Sequence, residues 1–216
     1  MNTKLKKWIK YLKTINKEVT ELLISRSSFW HYLYLTDTNA VPQGKKILGH
    51  YLCSSYVSHM SMGVRRQIKI NPQCISFARL LSEMIKNPEI LTREYYRELY
   101  VGKPNEGKAD DHFNEYSGFV FDHIDPIVPD CDLKHLRKNT SYIEKLADER
   151  IAHRDDKVFE KKKIIYDLEE SIETIEILCR KYNLIFFAEH IDLLPDFHNP
   201  VLNQEIYDES LIEKYT

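Results

Sequence analysis

Apolar positions recur at helical spacing through most of this chain, and polar positions fill the faces between them. Trp8, Leu12, Ile15, Val19 and Leu22 lay a stripe along a first amphipathic helix whose other face is rich in lysine. Ser27 and Ser28 predict the cap of a short second helix reaching Leu35, ahead of a turn-rich stretch at 36–44. A helix over about 45–68 follows, with Ile47, Tyr51, Leu52, Ser55 and Val57 available for packing and small residues that permit close helix contact. Periodicity resumes over 75–85 until Asn87 and Pro88, and again over 92–100.

The middle of the chain concentrates Pro88, Pro104, Pro126, Pro129, Gly102, Gly107 and Gly118, which predicts loops around one helix near 112–120. Neither glycine nor proline then recurs until Pro195. Within that gap Leu133, Leu136, Thr140, Ile143 and Ala147 trace one inward stripe, with Asp130 or Asp132 as its cap, and Ile164, Leu168, Ile172, Ile175 and Leu178 trace another. Arg154, Asp155, Asp156 and Lys157 read as the turn between them, with either aspartate able to cap the second helix. The pattern predicts an antiparallel helical hairpin over about 131–154 and 158–182. The expected fold is an all-α helical bundle, with one domain over 1–183 and an acidic extension over 184–216 that docks loosely or contacts a partner.

Composition narrows this further. Six glycines and eight prolines in 216 residues disfavour a many-turned β fold. The 31 basic and 33 acidic residues nearly cancel, so any contact with nucleic acid must be local. Cys53, Cys74, Cys131 and Cys179 are scattered and form no Cys-x-x-Cys pair, which predicts reduced, partly buried thiols. The N-terminal lysines interrupt Trp8, Ile9, Leu12 and Ile15, unlike a signal peptide. The basic, aromatic character of this helix permits a membrane-surface role, with packing on the protein the favoured alternative. No apolar run is long enough for a transmembrane helix, so cytoplasm is the default location.

Chemically active groups cluster at the end of the first hairpin helix: Asp148, Glu149, Arg150, His153, Arg154 and Asp155. If that helix persists, Arg150 and His153 are neighbours on one face and reach one phosphate together. Histidine exchanges a proton near neutral pH, and a guanidinium stabilises charge growing on a phosphoryl oxygen. Such a pair suits metal-free RNA cleavage, in which the 2′-hydroxyl attacks the adjacent phosphorus. Asp148 and Asp155, with Arg154 beside them, are candidates for supporting groups that orient the imidazole or guanidinium. The same spacing fits a purely structural role, in which Arg150 pairs with nearby acids and His153 closes the hairpin. Lys161, Lys162 and Lys163 beside the tip, and Arg65, Arg66 and Lys69 further back, are each either a solvated helix face or an RNA contact. His112, His123 and Asp125 lack the spacing of a helical ligand pair, and no metal or cofactor is expected. Glycine-rich phosphate loops, G-x-S-x-G elbows and H-E-x-x-H helices do not occur.

The run LADERIAHRD at 146–155, preceded by KHLRKNTSYIEK and followed by a second long helix, resembles the HEPN superfamily, and more narrowly its abortive-infection-associated AbiU-type branch. The FWHYLYL segment at 29–35 is compatible with the same resemblance. It implies a helical, commonly dimeric protein, often a metal-independent ribonuclease in toxin, phage-defence or RNA-processing systems. His153 matches the family's histidine. The family's arginine precedes that histidine by about four to six intervening residues, where this chain has Ala147 and Asp148, while Arg150 leaves two. Arg150 or Arg137 is the expected spatial substitute. Asp155 stands where some relatives carry a tyrosine modified by a partner nucleotidyltransferase. The resemblance thus implies an RNA-cleaving or RNA-binding effector acting as a homodimer away from membranes. The alternative is a degenerate helical scaffold that binds a partner protein.

Overall fold

The stripe read along the first segment is buried in one unbroken helix, α1 (Thr3–Asp37). Trp8, Leu12, Ile15 and Val19 are wholly shielded from solvent, and Phe29, Trp30 and Leu33 continue the same inward face. The break expected at Ser27 and Ser28 does not occur. Because the apolar spacing never lapses, tertiary packing outweighs the weak helix preference of the serines, and Ser25 returns its hydroxyl to the Glu21 carbonyl at 2.9 Å. At the start of α1, Asn2 caps the helix by accepting from the Lys4 amide at 2.8 Å. The computed structural model describes residues 2–37, 43–152 and 161–194.

α2 (Gln43–Ile68) runs antiparallel to α1, since Phe29 stacks on Tyr56 while Glu18 meets Gln67 further along. Its buried positions are Tyr56, Met60, Val64 and Ile68, whereas Tyr51 and Ser55 are exposed. Of the positions expected to pack, Leu52 and Val57 are half-buried, and Val57 lies against the core. Gly63 sets the approach of the two helices: a Cβ there would collide with the Leu22 side chain.

α3 (Phe77–Lys86) starts at Ser76, whose hydroxyl accepts from the Arg79 amide at 3.1 Å. It buries Phe77, Leu80, Leu81 and Met84 against α1, α2 and the helix over 127–146, with the Phe77 ring edge-on to Tyr182. Two short helices, α4 (Arg93–Glu98) and α5 (Ala109–Ser117), form a side unit with its own small core of Tyr96, Tyr100, Ala109 and Phe113. Arg93 ties this unit together. Its guanidinium lies over the Phe113 ring at 5.0 Å and donates to Asp110, Ser117, Gly118 and Phe121. The loop it holds leaves Phe119 90% exposed and Val120 85% exposed.

α6 (Ile127–Leu146) and α7 (Lys161–Phe187) form the expected antiparallel pair. Lys181 and Tyr182 reach Asp132 near one end, and Thr174 reaches Asn139 further along. The stripe of Leu133, Leu136, Thr140, Ile143 and Ala147 is buried as read, and so are Leu168, Ile172, Ile175 and Leu178. α6 begins before Asp130, because Pro129 is tolerated in a first turn that needs no amide donor. Asp125 accepts from the Ile127 amide at 2.9 Å, while Asp130 pairs with Lys134 and Asp132 with Lys181. Neither proposed aspartate is the cap. α7 extends to Phe187, and Leu193 beyond it is also buried.

The molecule is an all-α bundle, and no strand occurs among the described residues. No described helix is long and apolar enough to cross a membrane. All four cysteines are free thiols, with Cys74 and Cys131 exposed and Cys179 buried.

Candidate functional site

α6 does not continue as an α-helix toward the hairpin tip. Ala147–Ala152 forms a π-helical turn, in which each hydrogen bond spans one residue more than in an α-helix. The expectation that Arg150 and His153 stack three residues apart presupposed α geometry. A π turn advances less per residue, so residues three apart are rotated further from each other. Arg150 has its backbone in this turn, while His153, Arg154 and Asp155 lie outside the described residues. The cap expected at Asp155 or Asp156 lies outside them too.

Asp148 can be placed in detail. Its carboxylate faces α2, where Arg65 Nε donates to one oxygen and Lys69 Nζ lies 3.0 Å from the other. Lys69 also reaches Glu144, one turn back on α6, at 3.0 Å. Arg65 of α2 and Lys69, just past its end, thus meet Glu144 of α6 and Asp148 of the π turn. Partial burial works against the Asp148 charge, but Arg65 and Lys69 outweigh it and hold its carboxyl below the ordinary range. Glu144 leads the interactions that raise the Lys69 ammonium above its usual value. The guanidinium that Asp148 holds is that of Arg65 in α2. Complementary i,i+4 pairs were visible in the sequence; which helices face each other was not.

Arg137 is exposed and lies about three turns before the π turn on α6. Of the lysines at the start of α7, Lys163 is exposed, with its ammonium 5.0 Å from the Tyr142 ring centre and 3.8 Å from Asp167. The side chains of Lys161 and Lys162 are not among those described. His112 accepts or donates to the Tyr100 hydroxyl at 2.7 Å, and His123 contacts the Ile124 carbonyl at 2.9 Å. No cluster of three potential metal ligands occurs among the described residues.

A second polar constellation, not anticipated from the sequence, lies inside the bundle. The Glu169 carboxylate is 7% exposed and accepts from Arg26 at 2.6 Å, Trp30 at 3.0 Å and Tyr56 at 2.9 Å. Burial, and then the Glu169 charge, push the Tyr56 hydroxyl well above its ordinary value and keep it a neutral donor. Burial opposes the Arg26 charge, but Glu169 more than compensates. Three helices are pinned in register by one satisfied carboxylate. About 15 to 20 Å further along the same α1/α7 contact, Asn16 and Asn183 exchange hydrogen bonds of 2.8 and 2.9 Å.

No family model, curated protein or solved structure matches the chain.

Proposed function

We propose that this protein is a HEPN-like effector that binds or cleaves RNA without a metal, in a toxin or phage-defence setting, with His153 as its central group. The observation that carries this reading is the π turn that interrupts a long helical hairpin immediately before His153, with a guanidinium docked beside it. π turns are rare and concentrate at functional sites. Arg65 supplies, from α2, the positive group that the sequence lacks at Ala147 and Asp148. In the reaction, His153 accepts the proton of a ribose 2′-hydroxyl as its oxygen attacks the adjacent phosphorus. The 5′-oxygen of the next nucleotide leaves as a hydroxyl after taking a proton from water, giving a 2′,3′-cyclic phosphate. Arg150 and Arg65 are the candidates for stabilising charge on the phosphoryl oxygens. A homodimer bringing two copies of His153 to one cleft follows from the family resemblance.

Incubation of the purified protein with a mixed-sequence RNA tests this. Cleavage that persists with chelator, and falls by about 10²-fold or more in His153→Ala with helicity retained, is the expected result. Intact RNA together with no binding at moderate salt overturns it.

One observation favours a second reading, a non-enzymatic scaffold for a partner protein. Arg65 and Lys69 are matched by Asp148 and Glu144, two positive charges against two negative, which weakens the local field available to a phosphate. The same assay separates the two, since a scaffold shows no turnover for His153→Ala to remove.

A further inference from the structure

The outer face of α1 carries an uncompensated cationic row. Lys6, Lys10, Lys13 and Lys17 follow one another at helical spacings of four, three and four residues, and all are exposed. The row is about 16 Å long, with steps of roughly 4.5 to 6 Å along the axis. None of the four forms an ion pair among the described residues, whereas Lys7, on an adjacent face, is held by Glu83 at 3.0 Å. No acidic residue occurs before Glu18, and that carboxylate accepts from Gln67 at 2.5 Å. Exposed Glu21 bounds the row one turn on.

A lysine-rich helix with an apolar face can also lie on a membrane. Here that face is spent: Trp8, Leu12, Ile15 and Val19 are fully buried in the bundle, leaving nothing to enter a bilayer. What remains is a rigid line of point charges with an aromatic ring at its edge. Lys13 Nζ lies 6.0 Å from the centre of the partly exposed Phe187 ring at the end of α7. Glu189, two residues further, is drawn to Lys103 at 3.3 Å and away from this row. Spaced cations beside a half-buried ring with one accessible edge match the phosphates and a base of a single nucleic-acid strand.

We propose that this face of α1 is a docking track for single-stranded RNA, separate from the hairpin end. The choice of RNA over DNA rests on the function proposed above. α1 and α7 run antiparallel, so the track lies at the opposite end of the bundle, about 30 Å along α7 from its first turn. It anchors a strand whose continuation reaches the π turn.

Fluorescence polarisation with a labelled 20-nucleotide oligouridylate, titrated with the full chain from 50 to 200 mM salt, tests the track. Four phosphate contacts give a slope of log affinity on log salt of about −2.8, or roughly a 50-fold loss across that range. Lys10→Gln with Lys13→Gln is expected to halve the slope, and replacing all four lysines by glutamine to bring it near zero. Phe187→Leu, which keeps an apolar packing group, is expected to weaken binding about fivefold without changing the slope. An unchanged slope in the fourfold variant overturns the proposal, as does a wild-type protein that binds no RNA at 50 mM salt. Lysine-dependent binding to phosphatidylserine vesicles with none to RNA also overturns it, in favour of a membrane surface. RNA bound through the lysines but never cleaved would defeat the cleavage reading alone, and cleavage indifferent to the lysines would defeat the track alone.

Discussion

At the residue scale, the most consequential side chain for stability is Glu169. Truncating a buried carboxylate that accepts from Arg26, Trp30 and Tyr56 removes one acceptor from three donors at once. Glu169→Ala is therefore expected to cost about 3 kcal/mol or more, read as a drop in the chemical-denaturation midpoint. A variant within about 0.5 kcal/mol of wild type would mean that the network contributes little. Asp148 belongs to a different regime, because it and Arg65 are each about one-third exposed, at 35% and 30%, and solvent screens their pairing. A double-mutant cycle of Arg65→Ala and Asp148→Ala is expected to give a coupling of at most about 1 kcal/mol. The same geometry sets the acid limb of stability. Glu83, Asp110 and Asp148 all have carboxyls held below their ordinary values by neighbouring cations. Their contribution is present above the unfolded value near 4 and is lost as pH falls through the depressed folded values. Asp167, raised by burial, acts in the opposite sense. Lys69, raised by Glu144, contributes below about pH 10.4 and loses that contribution as pH climbs through its folded value. Denaturation midpoints measured from pH 7 to 3 should decline mainly below about pH 4.5; a flat profile would contradict the assignment.

At the element scale, the π turn separates what sequence conveys from what it does not. The inward stripe of α6 from Leu133 to Ala147 was legible because a long helix repeats its signal over many turns, and the structure buries each of those positions. α2 was read in part, since Val57 packs on the core and Leu52 is half-buried one turn before Tyr56, whereas Tyr51 is exposed and the buried face continues through Met60 and Val64. Periodicity gives a helix its period but not how closely its neighbours approach, and at Gly63 a Cβ would fit only if the Leu22 side chain moved. α1 ran through Ser27 and Ser28 because burial of Phe29 and Trp30 outweighs local propensity. The π turn itself left no mark in the pattern: Ala147, Asp148 and Ile151 read as ordinary α-helix, and the extra residue in each ring is resolved only by packing. The candidate site was legible as a motif, and its partner Arg65 was not. If the turn sets the direction of the chain entering His153, deleting Ala152 to restore α geometry should abolish cleavage while shifting the melting temperature by only a few degrees. Retained cleavage in that deletion would show that the π turn is incidental.

At the scale of the whole molecule, near-neutral total charge conceals two separate cationic features. Arg65 and Lys69 are matched by acids at the hairpin end, while the row along α1 has no such partners among the described residues. An RNA effector built this way would hold its substrate at one end of the bundle and act on it at the other. The measurement closest to the central claim is a cleavage assay on a defined RNA, with chelator present and the termini of the products determined. The account predicts fragments ending in 2′,3′-cyclic phosphate from the wild-type protein and their loss in a folded His153→Ala variant. Equal cleavage by that variant, or no cleavage and no binding by the wild type, would contradict it.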